Sequence, residues 1–236
     1  MKLLEKPVCI VIYGPQASGK GTQAENIVRA VNLKLITTGN LLRNEQKKKT
    51  ALAKKIHLSM QKGELVDDKT IATLLNNELS KNENTNGVLI DCFPRNKAQI
   101  IYFKDILKKY NFKKVIAIFL KINQQTAVSR IINRKICTNC QTPYGPMHKD
   151  YKKNICSKCK GKLTKRSDDT PEALKKRLEA YYNETLPAIE YFKKNYLLLE
   201  IDGEPNIDTV SKTVFEQLIV KGVIKKWTLR AKKKLI

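Results

Sequence analysis

A glycine-rich loop between a strand pattern and a helix pattern constrains this chain more than any other feature. The apolar run Val8–Ile12 leads into Gly14-Pro-Gln-Ala-Ser-Gly19-Lys20-Gly21-Thr22, and helical spacing follows. Backbone N–H groups of such a loop wrap a phosphate, and the start of the helix adds partial positive charge. Lys20 is expected to reach the β- and γ-phosphates, although Gly21 separates it from Thr22. The sequence therefore predicts a site for the phosphates of a nucleotide.

Short β-branched runs alternate with helical patterns along most of the chain. We predict strands at Val8–Tyr13, Leu33–Thr37, Val88–Asp91, Val115–Leu120 and Leu197–Ile201. We predict helices at Lys20–Val31, Lys69–Ser80 (capped by Asp67-Asp68), Lys97–Tyr110, Gln124–Arg134, Pro171–Lys194 and Asn206–Ile219. Such alternation is typical of a parallel sheet covered on both faces. The predicted fold class is α/β, a three-layer phosphate-loop (P-loop) fold around a central parallel five-stranded sheet.

Two segments interrupt this alternation, and we interpret both as insertions. Thr38–Val66 predicts two short helical stretches with no strand between them. Lys135–Arg166 is polar and carries Cys137-x2-Cys140 and Cys156-x2-Cys159, with fifteen residues between the pairs. That spacing is typical of a four-thiolate zinc site, which leaves no open ligand position, so a structural zinc ribbon is predicted. Iron, or cysteines that hold no metal, is the alternative.

The net charge of +24 has two interpretations. It could serve an anionic partner, or it could reflect a lysine-biased composition on solvated faces, which we favour because no arginine-rich stripe stands out. Only the planar fork of arginine binds phosphate bidentately. The eight arginines are therefore the candidate phosphate ligands: Arg29, Arg43, Arg95, Arg130, Arg134, Arg166, Arg177 and Arg230.

Further segments of the chain resemble the nucleoside monophosphate kinases, in order and at similar spacing, from about residue 8 to residue 219. The resemblance starts with GKGTQA and continues through Thr37–Arg43, Gly63–Val66, Asp91–Arg95 with Gln99, Arg130–Arg134, Arg166–Asp169 with Arg177, and Glu179–Pro187. Six of the eight arginines lie on these segments. Within the family, the chain is most similar to the adenylate kinases that carry zinc in a long lid.

This resemblance implies reversible phosphoryl transfer from ATP to AMP, which gives two ADP, with Mg²⁺ bound to ATP. The implied catalytic residues are Lys20, Asp91, Arg95, Arg130, Arg166 and Arg177. The implied ATP-binding residues are Gly14, Ala17, Ser18, Gly19, Lys20, Gly21, Thr22, Arg130, Arg134, Pro143, Tyr144 and Pro205. The implied AMP-binding residues are Thr38, Gly39, Arg43, Glu64, Leu65, Val66, Cys92, Phe93, Pro94, Arg95, Gln99, Arg166 and Arg177. The implied zinc ligands are Cys137, Cys140, Cys156 and Cys159.

Individual residues keep alternatives open. Asp91 is expected to hold Mg²⁺ through water, and its alternative is a helix cap. Gln99 is expected to match an adenine edge, and its alternative is an exposed helix residue. Ala17 and Cys92 stand where the family has glycine, and a Cβ disfavours positive φ there. We therefore expect an adjusted loop or weaker nucleotide affinity.

The implied organisation is a core (1–36, 67–132 and 170–220), an AMP-binding insertion (37–66), a zinc-binding lid (133–169) and a basic tail (221–236). We expect a cytoplasmic protein, because no signal peptide or membrane span is evident. The resemblance implies a monomer without an obligatory protein partner. Nucleic acid contact by the tail is considered but not favoured. The alternative functions are a kinase for another nucleoside monophosphate and a nucleotide-dependent zinc-ribbon protein that binds nucleic acid.

Overall fold

The fold is described from a computed structural model of the chain. It describes residues 1–225 except for 2, 4, 63–65, 82–84, 141, 147, 149, 166–174, 176–177 and 196. The predicted sites at Glu64, Leu65, Arg166 and Arg177, and the tail beyond Lys225, therefore lie outside the described residues. Within the part that is described, no helix is both long enough and apolar enough to cross a membrane.

A five-stranded sheet forms the centre of the molecule. Its strands are β1 (Val8–Tyr13), β2 (Lys34–Thr37), β3 (Gly87–Asp91), β4 (Lys114–Lys121) and β8 (Leu198–Asp202). They lie in the order β2-β3-β1-β4-β8 and every neighbouring pair is parallel. All six residues of β1 are buried, because helices cover both faces of the sheet. The predicted α/β fold with five parallel strands is confirmed.

Eight α-helices have bounds within the described residues. They are α1 (Lys20–Val31), α2 (Thr38–Glu45), α3 (Ala51–Lys62), α4 (Asp68–Leu79), α5 (Lys97–Lys109), α6 (Gln124–Ile132), α7 (Leu186–Lys194) and α8 (Ile207–Val220). Four of them begin after a side chain that accepts a hydrogen bond from the first turn, namely Asp67, Asn96, Asn123 and Asn206. These polar caps fix where the helices start.

Four predicted helices agree with the structure to within one residue at each end, and two differ by more. Helix α6 ends at Ile132 rather than Arg134, because the chain turns at Asn133 and enters strand β5 (Lys135–Cys137). The long helix predicted from Pro171 is interrupted by a π-helical stretch, Tyr181–Thr185, before α7 begins. Residues 171–174 and 176–177 of the predicted helix lie outside the described residues.

The core has one apolar cluster on each face of the central sheet. Ile27 of α1 and Val214 of α8 belong to the first cluster, and Phe103 of α5 and Phe192 of α7 belong to the second. The first cluster also contains Val223 and Ile224, each 1% exposed. Ile224 forms an antiparallel bridge with Leu3. The first residues of the segment that the sequence assigns to the tail are therefore packed in the core.

Both segments that interrupt the predicted alternation have described secondary structure, and their limits as separate insertions stay a prediction. Helices α2 and α3 follow β2 with no strand between them. The cysteine-bearing insertion forms a three-stranded antiparallel sheet of β6 (Pro143–Tyr144), β5 and β7 (Leu163–Lys165), in that order. It has its own small buried cluster around Cys137, Cys156 and Leu163. Below, residues 133–165 are called the cysteine lid and residues 37–66 the acceptor insertion.

Candidate active site and metal centre

The glycine-rich loop joins the carboxyl end of β1 to the start of α1. Gly19 precedes α1 in the left-handed region (φ 93°), and no side chain caps the helix. The first N–H groups of α1 are thus available to an anion. Gly14 (φ 150°) cannot carry a side chain, because a Cβ would lie 2.5 Å from Ser18 Oγ and 2.7 Å from Leu120 O. The loop has the backbone geometry that a phosphate requires.

The side chains of Lys20 and Ser18 place an ammonium and a hydroxyl group at this loop. Lys20 Nζ donates to Gly14 O (2.7 Å) and to Pro15 O (2.9 Å), so its ammonium lies over the loop. Ser18 is 2% exposed, and its Oγ is buried without a hydrogen-bond partner among the described residues. Such an orphaned hydroxyl needs a bound partner, because burial without one costs about 1–3 kcal/mol. The predicted role of both residues in phosphate binding remains a prediction.

Ala17 and Cys92 adopt the left-handed backbone that the expected glycines would provide. Ala17 has φ 60° and Cys92 has φ 55°. A Cβ in that region costs about 1–2 kcal/mol, so both positions retain the loop conformation under strain. Burial, together with the charge of Asp91, raises the pKa of the Cys92 thiol to about 11. Cys92 is therefore a neutral side chain at physiological pH.

Asp91 ends β3 beside the loop, paired in register with Ile12 of β1. Its Oδ1 is buried and has no hydrogen-bond partner in the described part of the chain, while its carbonyl oxygen accepts from Thr38 Oγ1 (3.2 Å). An orphaned carboxylate oxygen beside a phosphate loop suits a hydrated Mg²⁺. The alternative of a helix cap has no support, since Asn96 caps the helix that follows β3.

The segment after Asp91 presents Arg95. Arg95 Nε donates to Cys92 O (3.1 Å), and the Arg95 backbone N–H donates to Gln99 Oε1 (2.7 Å). Gln99 is completely buried, so its alternative as an exposed helix residue is wrong. Phe93 is also completely buried, and Tyr13 OH donates to Pro94 O (2.6 Å). Phe93 therefore packs into the core and offers only its backbone to a ligand.

Arg130, on the last turn of α6, connects the loop to the chain after β8. Its guanidinium donates to Gly203 O and Glu204 O, both at 3.0 Å, and to Ala17 O at 3.5 Å. Pro205 follows directly and is half-buried. Arg134 is half-buried just beyond α6. The structure thus brings Arg130 and the chain before Pro205 close to the loop, and their role in ATP binding stays a prediction.

Of the predicted AMP-binding residues, Thr38, Gly39 and Arg43 lie on α2, and Val66 lies just before α4. Thr38 and Val66 are buried, and Gly39 faces the guanidinium of Arg43, whose Nη1 lies 3.3 Å from where a Cβ of Gly39 would stand. Arg43 also donates to Asn40 Oδ1. Since α2 begins at the carboxyl end of β2, these residues share one edge of the sheet with the loop.

Four cysteines of the lid converge on one point. The sulfur atoms of Cys137, Cys140, Cys156 and Cys159 all lie within 4.8 Å of one another, and no disulfide links them. Sulfurs at this separation fit a tetrahedral zinc with four thiolate ligands. A Cβ on Gly161 would lie 2.8 Å from Cys137 Sγ, so this glycine, which the sequence did not mark, allows the chain to pass close to the centre.

Tyr144 packs inside the lid rather than facing ATP with its side chain. It is 1% exposed, and its hydroxyl donates to Cys156 Sγ (3.2 Å) and accepts from Ser157 N (3.0 Å). Only its backbone, with that of exposed Pro143, could contact a nucleotide. Tyr144 thus holds one of the four clustered sulfur atoms in place, as a donor beside a candidate metal ligand would.

Asp68 and Asn96 lie near the site, and the sequence did not indicate the contacts of either residue with Gln99. Asp68, expected only as a helix cap, accepts from Gln99 Nε2 (2.7 Å) through Oδ1, and Asn96 Nδ2 donates to the same oxygen (3.0 Å). Asp67 alone caps α4, by accepting from Thr70 N. The available signal was the pair of successive acids, since only one of them can cap a helix.

Comparisons with known proteins agree with the site. A family model described as adenylate kinase matches residues 12–197. The adenylate kinase of Methanocella arvoryzae is 38% identical over 205 residues, which is 86% of this chain and 95% of that protein. The adenylate kinases of Thermosipho melanesiensis (35% over 206 residues; 87% and 96% of the two chains) and Clostridioides difficile (33% over 210 residues; 89% and 97%) are similarly related.

Proposed function

This chain belongs to the adenylate kinase family and is a nucleotide-binding phosphotransferase, and we propose that it transfers the terminal phosphoryl group of ATP to AMP. The observation that carries the proposal is a contact between the end of β1, which leads into the phosphate loop, and the segment after β3, which is predicted to bind the acceptor. Cys92 N donates to Ile12 O (3.1 Å), and β1 pairs with β3. Two phosphate-binding segments that share one sheet edge favour direct transfer between two nucleotides rather than hydrolysis.

The chemistry needs alignment and cations rather than a general base, because the acceptor phosphate is already an anionic nucleophile. Lys20 would exchange the carbonyls of Gly14 and Pro15 for the β- and γ-phosphates. The N–H groups at the start of α1 would hold the β-phosphate. Arg130 would neutralise charge on the transferring group, from a position that the carbonyls of Gly203 and Glu204 already fix.

On the acceptor side, Arg95 and Arg43 would bind the phosphate of AMP. Thr38 and the segment 64–66 would line the base, and Gln99 would contact its edge. Arg166 and Arg177, which lie outside the described residues, would add charge from the lid side, as the family resemblance implies. Cys92 would place a thiol and a strained backbone at the acceptor phosphate, which favours weaker AMP binding than glycine would give.

Two metals fit the residues present. Asp91 would hold Mg²⁺ through water, and the ion would supply charge neutralisation on the ATP phosphates. The cysteine cluster would hold zinc with no vacant position, so its role would be to stabilise a lid that has few buried apolar residues. A rigid lid would close over ATP as one body and exclude water from the reaction.

We propose the domain limits that the sequence indicates, with the core extended to residue 225 because Val223 and Ile224 are buried in it. The protein would act as a monomer.

The deciding experiment is phosphoryl transfer from Mg-ATP to AMP, GMP, CMP, UMP and no acceptor, on protein of known zinc content. AMP-selective formation of ADP supports the proposal. Preference for another monophosphate would overturn the base assignment and keep the mechanism. Salt-dependent RNA or DNA binding without any transfer would favour the nucleic acid alternative.

A further inference from the structure

The side-chain amide of Gln99 is held at both ends. Its Oε1 accepts from Arg95 N and its Nε2 donates to Asp68 Oδ1, each over 2.7 Å. Gln99 is completely buried, so water cannot replace either partner. The amide therefore has two fixed contacts of opposite polarity.

These two partners allow only one orientation of the amide. A backbone N–H can only donate, and an ionised carboxylate can only accept. A rotation of the amide by 180° would place Nε2 against the Arg95 N–H and Oε1 against the Asp68 carboxylate. Both contacts would then be lost inside the protein, where unpaired polar groups are costly.

The carboxylate of Asp68 is itself held in place by a hydrogen bond from Asn96. Asn96 Nδ2 donates to the same Oδ1 over 3.0 Å, and Asn96 Oδ1 accepts from Gln99 N over 2.8 Å. The cap of α4 is provided by Asp67, so the helix does not depend on the carboxylate of Asp68. The Asp68 side chain thus connects the start of α4 to the start of α5 through Gln99.

We propose that Asp68 is a positioning residue that sets which purine the acceptor site accepts, by fixing the order of donor and acceptor on Gln99. The inference rests on the proposed function, in which Gln99 contacts the acceptor base. After its contacts with Asp68 and Arg95, Gln99 retains one N–H and one lone pair for a base. Gln99 is completely buried in this conformation, so the inference requires a conformation in which this N–H and this lone pair face the base.

The order of donor and acceptor separates the two classes of purine. Adenine offers an acceptor at N1 beside a donor at its 6-amino group, and a 6-oxopurine offers the reverse pair. A fixed amide matches one edge and opposes the other, and a site that hydrogen-bonds its substrate strongly rejects the mismatched analogue. An amide that can rotate would accept both.

The test compares AMP with inosine monophosphate as acceptors for the wild type and Asp68→Asn. An asparagine can offer either its oxygen or its NH₂ to Gln99, so the constraint at Nε2 is lost and only the Arg95 N–H still opposes rotation of the amide. We expect the AMP-to-IMP ratio of kcat/KM to fall at least tenfold, while the KM for ATP stays within twofold. Asp67→Asn is the matched control and should keep the wild-type ratio, since Asp67 contacts Thr70 rather than Gln99.

A double variant separates positioning from folding. Gln99→Leu should lose the selectivity, and Asp68→Asn added to Gln99→Leu should change the ratio no further. An unchanged ratio in folded Asp68→Asn protein contradicts the proposal, and so does a further loss in the double variant.

A measurement without catalysis distinguishes this inference from the proposed function. The Nε2 hydrogens of Gln99, followed by ¹⁵N NMR, should exchange slowly in the wild type and in Asp67→Asn, and at least tenfold faster in Asp68→Asn. Equal exchange in all three contradicts the fixed amide, whichever acceptor the enzyme uses. If the wild type transfers no phosphoryl group to AMP, the proposed function alone is contradicted. The NMR exchange rates still decide whether the Gln99 amide is fixed.

Discussion

Lys158 of the cysteine lid donates through Nζ to Glu25 Oε2 of α1 over 2.7 Å. The two residues are 133 positions apart in the sequence, and the pair joins the lid to the helix that starts at the phosphate loop. Both side chains are about half exposed, so the pair contributes about 0–1 kcal/mol and is screened by salt. It favours the lid position in which the lid lies against α1.

We therefore predict that Glu25→Gln weakens lid closure. The KM for ATP should rise about two- to threefold at low ionic strength, and the difference should vanish in 0.5 M salt at a Debye length of about 4 Å. Steady-state kinetics at both ionic strengths measure this. Glu190→Gln, an equal loss of negative charge at an exposed residue of α7, is the control. A salt-independent effect would contradict the role of the ion pair.

Zinc removal should disorder the lid and leave the core folded. Purified protein should contain one zinc per chain, and Cys156→Ser or strong chelation should remove it, because a lobe with so few buried apolar residues depends on its metal. Activity should fall at least about tenfold, since the lid no longer closes over ATP. Metal analysis and turnover measure both effects. Cys9→Ala, a buried cysteine of β1, should keep the zinc; metal-free protein with full activity would refute the prediction.

Glycine at either strained position should stabilise the protein. Ala17→Gly and Cys92→Gly each remove the penalty of a Cβ at positive φ, and the gain should be about 0.5–1 kcal/mol after the extra chain entropy of glycine. Thermal denaturation should show an increase in Tm of about 1–4 °C per variant. Ala30→Gly in α1 is the control and should lower the stability by about 1 kcal/mol. A loss of stability in both test variants would show that the strain is absent.

Ile224 should contribute to the core although it follows α8, the last helix among the described residues. Ile224→Ala should cost about 2–5 kcal/mol, as expected for a buried isoleucine that leaves a cavity. Denaturant unfolding measures this cost. Val220→Ala, at a side chain that is 76% exposed, should change the stability by less than about 0.5 kcal/mol. Equal, small effects would indicate that the bridge between Ile224 and Leu3 carries little stability.

The sequence predicted the elements that local patterns define. The bounds of β1 and α1 agree with the prediction residue for residue, because an apolar run, a glycine loop and a helical stripe follow one another directly. The cysteine cluster also followed from spacing alone. Local chemistry fully determines these features.

Features that depend on distant contacts could not be predicted. Asp68 and Asp67 look alike in the sequence, and only the position of Gln99, 31 residues away, distinguishes them. The sequence around Ile224 is typical of a basic tail, and only the bridge to Leu3 shows that this residue packs in the core. Tyr144 could face a nucleotide or the sulfurs, and the choice depends on where Cys156 and Ser157 lie after folding.

The most direct test of the central claim follows phosphorus rather than one product. One sample contains equimolar ATP and AMP with Mg²⁺ and a catalytic amount of the protein, and ³¹P NMR follows its composition. A second sample contains the same protein and Mg²⁺ with ADP as the only nucleotide, at the same total nucleotide concentration. We predict that both samples reach the same mixture of ATP, ADP and AMP without release of inorganic phosphate. Inorganic phosphate that accumulates while AMP stays unchanged would contradict phosphoryl transfer between the two nucleotides.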